Sequence, residues 1–188
     1  GEEYCDWYLE LSNPVLMKES TEAQKRGTRQ TLVRVLESIL RLCHPIMPYI
    51  TEELWQRVAP LAGVKTDTVM TCAYPTGDDS KRDATDEQEL EWVKTFVMGV
   101  RRIRSEMDIA PGKPLPVLLQ NASSDDQQRF NNNDAFINTL AKLESVTFLG
   151  NDEQAPESAT ALVGEMKLLI PLAGLIDKDA ELARLNKR

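Results

Sequence analysis

One histidine, three cysteines and no paired-histidine motif narrow the catalytic chemistry open to this chain of 188 residues. A serine or cysteine nucleophile ordinarily needs an imidazole to take its proton. His44 is the sole imidazole, and it stands directly before Pro45 in RLCHPIMPYITEELWQRV, Arg41 to Val58. A residue before proline is driven out of helical dihedrals, so His44 reads as a structural corner rather than as a base. Cys5, Cys43 and Cys72 lack CxxC spacing. That argues against a zinc site and a disulfide framework, and for a reducing cytoplasmic home. There is no glycine-rich phosphate loop, and the DD and EE pairs fall in hydrophilic connectors or at helix starts, where solvation or capping accounts for them. From chemistry alone the chain reads as a noncatalytic soluble module.

Charge is distributed unevenly. The formal net charge is −8, which argues against a nucleic-acid partner, because phosphate neutralisation supplies most nonspecific affinity. Yet Lys18 to Arg41 carries six basic residues (Lys18, Lys25, Arg26, Arg29, Arg34, Arg41) against three acidic ones, a net +3. Asp78 to Glu91 has seven acids and two bases, and Gly150 to Glu165 has four acids and no base. The acidity therefore sits mainly in connectors, leaving one helix locally basic. Hydrophobic residues at 41% and charged residues at 28% describe a chain that folds in water. No apolar run approaches the roughly 20 residues of a membrane span, and GEEYCDWYLEL lacks a signal-peptide pattern. Gly1 fits no element and both ends read as cut, giving the expectation of a piece of a longer protein.

The elements that position these residues follow from periodicity. Trp7, Leu11 and Val15 form one helical stripe over Tyr4 to Leu16, with Pro14 near its end. Thr21 and Gln24 have capping-box spacing for a helix from Glu22, whose apolar face is Leu32, Val35, Leu36, Ile39, Leu40, Leu42 and Cys43. Pro45 should stop it near Cys43. Thr51 should then cap a third helix with Leu54, Trp55 and Val58 inward. TVMTCAYP reads as weakly extended. Thr85 with Gln88 should cap a long helix through Leu90, Val93, Phe96, Val97, Val100, Ile103 and Met107, stopped at IAPGKP. PVLLQ is a buried strand. Ser124 and Gln127 should cap a helix that breaks near Asn131 to Asn133. Strands follow at SVTFL, TALVG and MKLLIPL, the last two forming a hairpin at Gly164 and Glu165, and DKDAELARLNKR begins a charged helix.

The fold class is therefore α+β, mainly α. The expected organisation is a helical part over residues 1–76, an acidic linker over 77–86, a small α/β part over 87–176 and a helical start over 177–188.

RLCHPIMPYITEELWQRV closely resembles the helix, corner, helix signature of the anticodon-binding domain in class I aminoacyl-tRNA synthetases of the valine, isoleucine and leucine group. CDWYLELSNPVL, RRIRSEMDIAPGKPLPVLL, LAKLESVTFL and LLIPLAGLIDKDAELARL resemble the valyl members specifically, of bacterial type. The resemblance implies the later part of a helical anticodon-binding bundle, then a small α/β subdomain and the first turns of a coiled-coil arm. It implies a noncatalytic region of a valine–tRNA ligase. The family's HIGH and KMSKS signatures are missing here, so adenylation of valine with ATP and Mg²⁺, and editing, belong to the parent enzyme.

The implied partners are valine-accepting tRNA and the remaining domains of that enzyme, with neither membrane nor DNA. An unpaired loop is held by phosphate contacts and by stacking on aromatic or guanidinium planes. Candidates are Lys25, Arg26, Arg29 and Arg34, lying opposite or beside the apolar stripe of their helix, a second cluster of Arg101, Arg102 and Arg104, with Lys113 beside it, and Tyr8 as an aromatic. A solvated helix face is the alternative for the cations, and core packing is the alternative for Trp7 and Trp55. Two competing readings are a structural or protein-interaction module that never meets RNA, for which the low pI speaks, and the equivalent region of an isoleucyl- or leucyl-tRNA synthetase.

Overall fold

A computed structural model describes residues 3–17, 21–150 and 153–173. The chain divides into two compact units, Gly1–Arg82 and Asp83–Arg188. It is mainly α with a small four-stranded mixed sheet. The predicted helix at DKDAELARLNKR and Lys18 lie outside the described residues.

The first unit opens with a π-helical segment, Glu3–Tyr8, that runs into α1, Leu9–Met17. Pro14 sits inside α1, and Ser12 Oγ donates to the Tyr8 carbonyl at 2.6 Å. Helix α2, Glu22–Cys43, starts on the predicted capping box: Thr21 accepts from the Gln24 amide while the Gln24 side chain accepts from the Thr21 amide. It stops at Cys43 as expected, but His44 keeps helical dihedrals, φ −55° and ψ −41°, so Pro45 ends the helix through its missing N–H and not by driving His44 out of the helical region.

Helix α3, Pro48–Ala62, begins four residues earlier than a Thr51 cap would allow. Pro48 takes the first helical position, where a missing N–H costs nothing. Thr51 is instead buried in the first turn, and its hydroxyl donates to the Met47 carbonyl at 2.6 Å. That uses its only hydrogen, so the 2.8 Å bond to His44 Nδ1 must have the imidazole as donor. His44 thus pins the corner through a side-chain bond.

Leu40, Trp55, Ala59 and Val69 make the core of this unit. Within it Glu37 is buried: Trp55 Nε1 donates to Glu37 Oε1 at 2.9 Å and Arg41 Nη2 to Oε2 at 2.8 Å. Arg41 Nη1 also reaches the Ala73 carbonyl at 2.9 Å, holding down the segment after α3. TVMTCAYP forms no strand. It makes a 3₁₀ turn at Val69–Thr71, because Glu52 Oε2 accepts from Thr68 Oγ1 and the Val69 amide and so tucks Val69 under α3. Leu36, Leu42 and Leu54, predicted as inward, are each more than a third exposed.

The second unit begins with α4, Ala84–Glu106. Its cap is Asp83, which accepts from the Thr85 and Asp86 amides, rather than Thr85. The predicted linker over 77–86 therefore contains a 3₁₀ turn at Asp79–Lys81 and the first residues of α4. Helix α5, Ser124–Ala141, is capped by Ser123 with Asp126 and runs unbroken through the asparagines. Asn133 Nδ2 donates back to the Arg129 carbonyl and across to Glu89 Oε1, which ties the expected break to α4.

The sheet has strands β1 (Leu115–Gln120), β2 (Leu143–Phe148), β3 (Ser158–Val163) and β4 (Met166–Pro171), in the order β2-β1-β4-β3. Strands β1 and β2 are parallel, which requires the α5 crossover, and β3 and β4 form the predicted hairpin. Gly164 turns that hairpin with φ of 61°. Helices α4 and α5 cover one face of the sheet. Gly99 lets α4 approach, since a Cβ there would stand 3.3 Å from Ala161 Cβ. Val93, Phe96, Val97, Val100, Ile103, Leu119, Ile137 and Leu168 are all buried between them.

Trp92 Nε1 donates to Asp126 Oδ1 at 2.8 Å, joining α4 to the cap of α5. Burial pushes the Asp126 carboxyl up, but hydrogen bonds from the Ser123 hydroxyl and amide and from Trp92 outweigh it, and the pKa lies below the ordinary 3.8. A depressed carboxyl stabilises the fold above its unfolded pKa and loses that contribution as the pH falls through the folded value. Acid titration of Trp92 fluorescence should therefore show the second unit weakening from about pH 4 downward. Asp126→Asn should flatten that limb, and an unchanged acid limb would contradict the assignment.

Candidate nucleic-acid interface

The chemistry suited to a single-stranded loop is cationic and planar, and the first unit gathers it on the N-terminal half of α2. Arg26, Arg29 and Arg34 are exposed and make no ion pair among the described residues, whereas Lys25 is half-buried and lies 3.7 Å from Glu22. At about 100° per residue, Lys25 and Arg29 stand about 40° apart around the helix, with Arg26 a further 60° round. These three share one surface. Arg34 lies about 80° beyond Arg26 and roughly 12 Å further along, so it belongs to a separate face.

The relation to the apolar stripe differs from the expectation. Lys25 and Arg29 continue the line of Leu32, Leu36 and Leu40 where that stripe runs out, rather than lying opposite it. Arg26 flanks the line, and Arg34 alone is opposite. The amino end of a helix adds a positive field of its own, so phosphate is attracted to this end twice over. Glu37, which would offset it further along, is compensated internally by Arg41.

Tyr8 and Trp7 are half-buried in the first helical segment, and Trp55 is fully enclosed in the core. Among the described rings of this unit Tyr49, at the start of α3, is the most exposed, and it is absent from the stacking candidates drawn from the sequence. Its signal was present in the spacing, since Thr51 and Trp55 face inward and Tyr49 lies off their line.

In the second unit the three arginines of RRIR separate. Arg102 is exposed, with its Nε 3.8 Å from Glu106. Arg101 is half-buried and donates to the Leu140 carbonyl at 3.3 Å. Arg104 is only 6% exposed and is committed elsewhere. Its Nη1 donates to the carbonyls of Ala110 and Lys113 at 3.2 and 2.7 Å, and its Nη2 to those of Ala141 and Lys142 at 2.8 and 2.9 Å.

The guanidinium therefore caps the carboxyl end of α5 and clasps the PGKP loop. Asp108 and Lys142, two residues with positive φ, border it at 52° and 51°. Burial pushes its pKa down. Arg104 organises the backbone here and is withdrawn from the set able to meet a phosphate. Around it lies a depression of about 580 Å³ lined by Arg101, Ser105, Asp108 and Lys142 among others. Lys113 is exposed on the same loop.

Replacing Arg104 by Met should destabilise the second unit by about 3 kcal/mol or more, because four carbonyls lose a charged donor at once. Arg102→Ala should fall within about 0.5 kcal/mol of the parent. Urea unfolding of both variants checks this, and equal midpoints would remove the clasp.

The family model described as the anticodon-binding domain of tRNA ligase matches residues 2–119. The match covers the whole described part of the first unit and continues through α4 into β1.

Proposed function

The chain belongs to the family of anticodon-binding domains of tRNA ligases, and from that premise we propose that it is the tRNA-binding region of a valine–tRNA ligase. The observation that carries the binding half of this reading is the exposed pair Arg26 and Arg29, without an ion pair among the described residues, beside Lys25 at the positive end of α2. The valine half rests on the resemblance of RRIRSEMDIAPGKPLPVLL and LLIPLAGLIDKDAELARL to valyl enzymes.

In this reading α2 offers cations to the phosphates of an unpaired loop. Each phosphate neutralised on a single strand releases counterions, giving a slope of about −0.7 in log affinity against log salt. Arg26 and Arg29 can also lay their guanidinium planes on unstacked bases. Arg34, Arg101, Arg102 and Tyr8 are secondary candidates. The parent enzyme acts in the cytoplasm.

Activation of valine with ATP and Mg²⁺ falls to other parts of that enzyme. Among the described residues no cluster of His, Cys, Asp or Glu is placed to hold a metal ion, and the sequence has no phosphate loop.

Two measurements test the proposal. Lys25→Ala, Arg26→Ala and Arg29→Ala together should weaken tRNA binding by about tenfold or more at low salt and flatten the salt slope by about 2. An unchanged affinity and slope would remove this face. Separately, the ligase that carries this region should charge tRNA with valine; charging with isoleucine or leucine instead would reassign the specificity.

A further inference from the structure

The clasp made by Arg104 brings two lysines together and leaves both side chains unused. Its Nη1 holds the Lys113 carbonyl at 2.7 Å and its Nη2 the Lys142 carbonyl at 2.9 Å. The two backbones therefore meet within the span of one guanidinium, although β1 and α5 separate them in sequence. Both lysines are exposed, and neither side chain forms an ion pair or a hydrogen bond among the described residues. Lys142 ends α5 on left-handed backbone, φ 51°, where glycine or asparagine would suit the fold better. A lysine there has a steric cost and no structural return.

Beside the lysines lies the depression of about 580 Å³. Its walls carry Arg101, Arg104 and Lys142 as cations, Ser105 as a hydroxyl and Asp108 as the one carboxylate. Like charges gathered around a buried guanidinium repel one another, and no carboxylate is paired to Arg104, Lys113 or Lys142 among the described residues. The carbonyls that satisfy Arg104 bring dipoles and no full charge. An anion seated in the depression supplies the missing countercharge.

The donors say which anion. A lone carboxylate is met best by a guanidinium fork, but the Nη hydrogens of Arg104 are spent on four carbonyls. The cations left to reach a ligand are two lysines, compact charges on flexible stems that can take separate oxygens of a phosphate. A domain of a tRNA ligase meets phosphate along the backbone of its substrate.

We propose that the depression beside the Arg104 clasp is a second phosphate-binding site, in which Lys113 and Lys142 take backbone phosphates of the tRNA. This rests on the reading of the chain as a tRNA-binding region and adds a contact in the second unit to that of α2. Arg104 is a positioning residue: it sets both lysines and adds its field without touching the phosphate.

Inorganic phosphate is the first probe, added to the ¹⁵N-labelled chain in place of chloride at constant ionic strength. The amides of Ser105, Lys113 and Lys142 should shift along one saturating curve. Lys113→Gln with Lys142→Asn should abolish those shifts and leave the melting temperature unchanged or higher, since repulsion is relieved and asparagine tolerates the left-handed position. A lower melting temperature would mark the lysines as structural and overturn the site. So would shifts that survive the double change, or none in the parent.

The second probe is tRNA. The double variant should bind it about fivefold more weakly at low salt, with the salt slope flattened by about 1.5. Lys167→Gln, which removes an exposed lysine of β4 outside the depression, should change the affinity by less than about twofold. An equal loss in that control would reduce the effect to net charge and overturn the site. Phosphate shifts with unchanged tRNA binding would assign the site to a free phosphate compound and overturn its assignment to RNA. Weakening by the double variant but not by the triple alanine variant of α2 would sink the α2 face and leave this site standing; the reverse pattern would sink this site and leave α2.

Discussion

The buried carboxylate of Glu37 is the constraint around which the first unit is arranged. Removing a carboxylate from water costs several kcal/mol unless charged and neutral donors replace the lost solvation. Here Trp55 supplies one donor and Arg41 the other, and they come from different places in the sequence. Satisfying Glu37 therefore fixes the rotation of α3 against α2. The arginine that helps to neutralise it also grips the Ala73 carbonyl. One charge thus sets two helices and the segment after them. Truncating a partner would leave an uncompensated buried ion, a loss of about 3–5 kcal/mol.

The second unit solves the inverse problem. Arg104 is a buried cation with no carboxylate paired to it among the described residues, and it is satisfied by carbonyl dipoles at a helix end and in a loop. The Ala141 and Lys142 carbonyls lie at the end of α5, where helical partners run out; the Leu115 amide reaches Lys142, and the guanidinium reaches both. The planar fork matters, because a lysine presents its donors from one point and could not span both pairs. The left-handed residue Lys142 presents its own carbonyl and that of Ala141 to the same Nη2.

Long-period features were readable from the chain, whereas the choice among equivalent polar residues was not. The start of α2 follows from its Thr21 and Gln24 spacing, and its end, the four strands and the hairpin at Gly164 follow from proline, glycine and apolar spacing. Caps were harder. Thr85 and Asp83 both suit the start of α4, as do Ser124 and Ser123 for α5, and only backbone geometry decides which side chain meets the free amides. The asparagines of α5 looked like a break because their side chains compete with the backbone, but Asn133 bonds the Arg129 carbonyl one turn back and Glu89 on the neighbouring helix, and the helix runs on. Arg104 looked like a surface cation in RRIR. Yet it stands four residues after Val100, on the rim of the buried stripe, and that spacing already leaned inward.

A chain of net charge −8 can present a face to RNA because electrostatics at physiological salt is local. The screening length is about 8 Å, so a phosphate near the amino end of α2 senses Lys25, Arg26 and Arg29 and little beyond. The nearest described carboxylate along the helix axis is Glu22, already drawn to Lys25, and Glu37 is cancelled inside the core. Net charge sums over the whole molecule, while binding samples one face. The helix is long enough to keep these environments apart: cations where the apolar stripe ends, and a buried ion pair in the turns before the corner.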